Sequence, residues 1–236
     1  MKNRNTLERQ TTRRILLVVG STALAVGLTV SLPQPAHADP VTPPPVPDGI
    51  DVPAGNKAFL VGHAVGTQNY ICLPCPNPTT PAAQCPDTSG FAWLLFTPEA
   101  TLSKDDEKQV ITHFFSPNLG PIPPEVRGTI RATWQHSRDT SIVWGGKAVS
   151  SSAPRFVAKD AIPWLKLPAA GTQVGPTGGD TLAKTTFIQR LNTSGGAAPS
   201  TDCLSSTDVG KKAFVPYTAD YFFYKKAAEG DADGSN

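Results

Sequence analysis

The chain has 236 residues, with 21 Lys and Arg against 19 Asp and Glu and a formal charge of +2. That balance excludes the basic patch on which nucleic-acid binding depends. Beyond the first residues, no polybasic or amphipathic segment suggests a membrane surface either.

The first 38 residues have the form of a secretory signal. Lys2, Arg4, Arg9, Arg13 and Arg14 make a basic head, an apolar run follows from Ile15 to Val30, and Ala36-His37-Ala38 offers a small-x-small cleavage site. Arg13-Arg14 also matches the head of a twin-arginine export signal. Cleavage after Ala38 leaves 16 of the 21 basic residues and 18 of the 19 acidic ones, a charge of −2. No membrane span is then expected in the mature chain. All four cysteines, Cys72, Cys75, Cys85 and Cys203, lie in the exported part, and an even count in an oxidising compartment reads as two disulfides.

Residues 39–49, DPVTPPPVPDG, read as a proline-rich linker, since repeated Pro removes amide donors and favours an extended chain. A single domain is expected from Ile50 to Lys226, followed by a polar, Gly-rich tail over 227–236 that should be disordered. Within the domain no long helical periodicity occurs. Short runs rich in β-branched and aromatic residues are cut by Gly, Pro, Asn and Asp. In order they are KAFLVGHAVG, TQNYICL, FAWLLF, QVITHFF, TIRATWQHS, SIVWGGKAV, IPWLKL, TTFIQRLN and FVPYTADYFFY. The spacing predicts an all-β domain, an antiparallel β-sandwich or barrel. His136 to Ser141 reads as a hairpin turn, and a short helix is expected near Ser103 to Gln109.

The last strand carries rings on both faces. Tyr217, Tyr221 and Phe223 alternate with Phe222 and Tyr224, which fits a strand packed on two sides rather than an exposed stacking ladder. Pro216 needs a place where no ladder amide is required, such as the strand's start.

Several stretches together resemble one exported family of bacteria and fungi, the domain of unknown function 3455. They are VPAGNKAFLVGHAVGTQNYIC, THFFSP, AIPWLKLPA, TFIQRLNTSGGAAPS and VPYTADYFFY, in order over about residues 50–225. The resemblance implies no established activity and transfers no catalytic residue. The chain departs from the family pattern at CPNPTTPAAQC, Cys75 to Cys85, which looks like an insertion with its own cysteine pair. Of the three possible pairings, Cys75–Cys85 is expected to close that insertion. Cys72–Cys203 would then tie an early strand to the loop before the last one.

Motifs for catalysis are missing. No GxSxG elbow occurs, GPTGGD has the wrong glycine spacing for a dinucleotide turn, and Gly145-Gly146-Lys147 lacks the leading Gly of a phosphate loop. No cofactor is expected. His63, His113 and His136 all fall in expected strands and could converge on a transition metal, although a histidine on a strand such as Phe59–Val65 is more often a core residue. Tyr70, Trp93, Trp134, Trp144 and Trp164 are candidates for a sugar-stacking face. Trp134 and Trp144 are the expected exposed ones, because Arg131, Gln135, Ser141 and Lys147 flank them. Arg190 and Asp220 stand in otherwise apolar strands and are expected to neutralise each other on an inward or ligand-facing side, with exposed edge positions as the alternative. The ligand-binding candidates are therefore His63, His113, Trp134, His136, Trp144, Arg190 and Asp220. They point to an exported, non-catalytic domain that binds a ligand or envelope component. The alternative is a His-based metal-dependent enzyme, and metal analysis of exported protein separates the two.

Overall fold

The computed structural model describes residues 40–77, 85, 90–105 and 108–228. The signal-like head, most of the Cys75–Cys85 insertion and the end of the Gly-rich tail lie outside the described residues. Among the described residues nine strands follow in chain order: β1 (Asn56–Pro74), β2 (Phe91–Ser103), β3 (Gln109–Pro117), β4 (Ile130–His136), β5 (Ile142–Gly145), β6 (Val149–Ser151), β7 (Trp164–Gln173), β8 (Phe187–Gly195) and β9 (Lys212–Lys226). Short 3-10 turns occupy Pro124–Val126 and Ser206–Asp208.

Pairing runs β5-β4-β3-β2-β1-β9-β8-β7, antiparallel at each step, and β5 then pairs with β7 through Ile142 opposite Gln173. Eight strands thus close an antiparallel barrel, the solution that removes sheet edges altogether. The extra strand, β6, continues along the same edge of β7, with Val149 opposite Lys166. Gly145 and Gly146 make the handover from β5 to β6. A Cβ on Gly145 would meet Leu167 Cδ2 at 2.9 Å and Trp134 Cζ3 at 3.2 Å, so the chain turns here only without a side chain.

The period-two pattern sorts residues between the inside and the outside of the barrel. Leu60, Ala64, Leu102, Ile111, Trp134, Val143, Ile188, Tyr217, Tyr221 and Phe223 form the inner cluster. Phe222 and Tyr224 point outward and join Ile50, Val157, Trp164 and Leu191 in a second cluster. Both ring faces of β9 are therefore buried, as the alternation predicts. Pro216 lies inside β9 rather than at its start. Since β8 ends with Gly195 opposite Tyr217, Pro216 has a free edge on that side.

Two further expectations need correction. KAFLVGHAVG and TQNYICL are one strand, β1, because Gly66 between them is a contact glycine and not a break: a Cβ there would lie 2.0 Å from the Glu99 carbonyl oxygen of β2. The short helix expected near Ser103 to Gln109 falls partly outside the described residues, between Ser103 at the end of β2 and Gln109 at the start of β3. The proline-rich segment packs on the barrel instead of leaving it as a free linker. Val41 and Val46 lie against the outer cluster, and Lys166 Nζ donates to the Gly49 carbonyl at 3.3 Å. Pro supplies the extended backbone there, and the valines between supply the contacts.

Both expected disulfides are present, Cys72–Cys203 and Cys75–Cys85. The hairpin turn between β4 and β5 also forms where expected. Its end is closed by His136 N–H on the Ser141 carbonyl at 2.9 Å, and Asp139 accepts from Ser141 N, Ser141 Oγ and Thr181 N. Burial disfavours the Asp139 carboxylate, but these donors outweigh it and hold its pKa well below the usual carboxylate range.

Candidate functional site

One end of the barrel interior is not filled. A cavity of about 460 Å³ lies there, among Gln68 and Tyr70 of β1, His113 of β3, Trp134 of β4, Arg190 of β8 and Tyr221 of β9. Ile162, Leu165 and Leu167 add an apolar wall. The mouth is rimmed by Leu95, Ile130 and the Gly145–Gly146 handover, and Leu95 and Ile130 are 40% and 59% exposed. Eight-stranded barrels of this kind either fill with side chains or hold one small ligand.

The floor is aromatic. His113 and Trp134 are register partners and stack with centroids 4.3 Å apart and planes at 6°. Tyr221 closes on both, at 5.2 Å from His113 and 5.5 Å from Trp134. His113 Nδ1 lies 2.8 Å from the Thr133 carbonyl oxygen, which can only accept, so the proton sits on Nδ1 and Nε2 carries the lone pair. Burial strips the imidazolium of hydration, and the nearby Arg190 adds to the effect. The Thr133 contact opposes them without prevailing, and the His113 pKa falls to about 3. His113 is a neutral ring at any ordinary pH.

Arg190 projects into the same space. Its Nε and Nη2 both donate to the Pro163 carbonyl, at 3.3 and 2.9 Å. Tyr70 donates to the Gly196 carbonyl at 2.6 Å, and Tyr217 shares a 3.3 Å contact with Tyr221. Burial raises the pKa of Tyr70 and of Tyr217, against the opposing charge of Arg190.

The expected site residues thus divide. His113, Trp134 and Arg190 meet in the cavity. Trp144 is buried on the barrel's outer face, where Nε1 donates to Ser116 Oγ at 3.0 Å. Trp134 and Trp144 are 1% and 2% exposed, so the expectation that they stand out for sugar stacking is overturned. Flanking polar residues do not report exposure here, because Ser141 is itself fully buried. Tyr70 and Trp164 are buried too, and Trp93 is tied to the Thr201 carbonyl at 2.8 Å.

The histidines do not converge. His63 lies on the outside of β1, half exposed, rather than in the core. His136 sits at the far end of β4, 3.0 Å from Asp139. Among the described residues no three His, Cys, Asp or Glu side chains come together as a metal site would require. Arg190 and Asp220 do not pair either. Arg190 stands opposite Tyr221 and points inward, whereas Asp220 stands opposite Leu191 and points outward. Asp220 takes His63 Nδ1 at 2.7 Å and Asn192 Nδ2 at 2.8 Å. Alternation along β9 separates the two charges. Gln68 was not singled out in the sequence, although it shares the inward face with Ala64 and Tyr70.

The family described as protein of unknown function (DUF3455) matches residues 53–225. The chain belongs to this family. No curated protein and no solved structure matches it. The DUF3455 span covers every barrel strand except the last residue of β9, and it includes every residue lining the cavity.

The outward cluster on β1 makes its own prediction. Burial lowers the pKa of His63, but hydrogen bonds to Asp220 and to Asp105, 2.9 Å from Nε2, outweigh it and raise the value above 6.5. A raised folded pKa stabilises fully below the unfolded value of about 6.5 and is lost as pH rises through the folded one. Urea unfolding should therefore show stability declining as pH is raised above about 6.5, by under about 1 kcal/mol for so exposed a pair. His63→Gln should flatten that slope. An unchanged slope in the variant would assign it to other groups.

Proposed function

We propose that this DUF3455 protein is an exported, non-catalytic binding domain that takes a small molecule into the open end of its barrel. The cavity carries the reading. Its volume falls in the usual range for small-molecule sites, about 300–1,000 Å³, and its walls combine apolar and aromatic surface with a few polar groups. The two disulfides and the signal-like head support a place outside the cytoplasm. The three histidines lie apart, so the competing reading of a His-based metal enzyme gains no site from them.

The test uses exported protein and the neutral fluorescent dye N-phenyl-1-naphthylamine. The dye should bind with enhanced emission at one site per chain. Ala132→Trp, which places a large ring into the cavity wall, should weaken binding at least tenfold while leaving the far-ultraviolet circular dichroism unchanged. Absence of binding by the native protein, or equal binding by the folded variant, would overturn the reading.

A further inference from the structure

The cavity is asymmetric in charge. Among the described residues that line it, none is Asp or Glu, while two are arginines. Alternation along β4 turns Ala132 and Trp134 inward, and so sends the Arg131 side chain outward with Thr133. One guanidinium is left inside. Arg190 has no carboxylate within ion-pair reach among the described residues, and the hydrogen bonds it makes go to one neutral carbonyl, that of Pro163. A half-buried cation in such surroundings is stabilised by an anion, and guanidinium matches a carboxylate through two parallel hydrogen bonds.

Tyr70 already spends its proton on Gly196. Beside Arg190, the accessible walls offer Phe115, Ala132 and Leu165 to an apolar body. At about 30 Å³ per water, the volume equals about fifteen waters.

Building on the binding function proposed above, we infer that the natural ligand is a small monocarboxylate with an apolar or aromatic body, its carboxylate held by Arg190 and its body lying against Phe115, Ala132 and Leu165.

The probes are 4-phenylbutyrate, 4-phenyl-1-butanol and 4-phenylbutylamine, which share a body and differ in the head group. Each is titrated against native protein carrying bound N-phenyl-1-naphthylamine at neutral pH. The acid should displace the dye at least tenfold more effectively than the alcohol, and the amine should be weakest. Arg190→Met should bring acid and alcohol to parity, while Arg190→Lys should keep part of the preference. The native comparison stands alone if either variant fails to fold. If alcohol or amine matches the acid, or if the dye binds and no probe displaces it, the carboxylate inference is overturned and the binding cavity stands. If the dye itself does not bind, both fall.

Discussion

Trp134→Ala should cost about 3–5 kcal/mol of folding stability, among the largest effects of any single substitution in this protein. The ring is 1% exposed and holds three neighbours at once. His113 lies flat on it, while Tyr221 and Phe223 meet it at 5.5 and 6.2 Å in steep, edge-on geometry. Truncation removes the ring's own burial and those three contacts, each worth about 0.5–1.5 kcal/mol beyond area. The surroundings cannot collapse to compensate, because Gly145 already touches the ring edge and the cavity lies alongside. Against a total stability of about 5–15 kcal/mol, such a loss approaches unfolding. Trp134→Phe separates packing from polarity. The indole nitrogen has no hydrogen-bond partner among the described residues, so this change forfeits no bond and should cost only about 1–3 kcal/mol. Urea unfolding of both variants checks the ranking. A loss under 1 kcal/mol in Trp134→Ala would mean that the stacked floor does not support the barrel.

Local pattern made the strands, the β4–β5 turn and the two-sided burial of β9 legible in the sequence, because each depends on residues within one run. Closure of the barrel did not show there. It rests on β5 reaching β7, with Ile142 opposite Gln173, and no period-two pattern reports which distant strand a short run will join. The same limit explains the site. Arg190 and Asp220 stood out correctly as charges in apolar strands, but register decides their faces, and a shift of one residue sends a side chain to the other surface. Arg190 opposite Tyr221 enters the cavity, and Asp220 meets His63 outside. Trp144 misled for a related reason. Its polar neighbour Ser141 is buried as part of the hairpin's hydrogen-bonding, so polarity along the chain did not mean exposure. The packing of the proline-rich segment was not legible either, because composition records its stiffness and says nothing of how Val41 and Val46 fit the outer cluster.

Removing the Cys72–Cys203 bridge should cost more than removing Cys75–Cys85, by about 2 kcal/mol. The two bridges span 131 and 10 residues. In the chain-entropy account, a bridge stabilises by restricting the unfolded chain, which gives about 5 kcal/mol for the long span and about 3 kcal/mol for the short one. The native surroundings push the same way. Cys72 is fully buried in β1, and Cys203 is 4% exposed. Around them, Cys72 N donates to the Lys211 carbonyl and Gly210 N donates to the Cys72 carbonyl, both at 2.9 Å. The bridge therefore fixes the loop before β9 to the strand with which β9 must pair, from Asn56 to Ile71. Cys75–Cys85 closes a short loop beyond the end of β1. Two paired variants, Cys72→Ala with Cys203→Ala and Cys75→Ala with Cys85→Ala, should be compared by urea unfolding at fixed pH. With a slope of about 2 kcal/mol per molar urea, the first midpoint should fall by about 2.5 M and the second by about 1.5 M. Equal shifts would show that the unfolded chain is already compact enough to blunt the difference in loop length. A larger loss from the short loop would place the stabilisation in native contacts of the insertion instead.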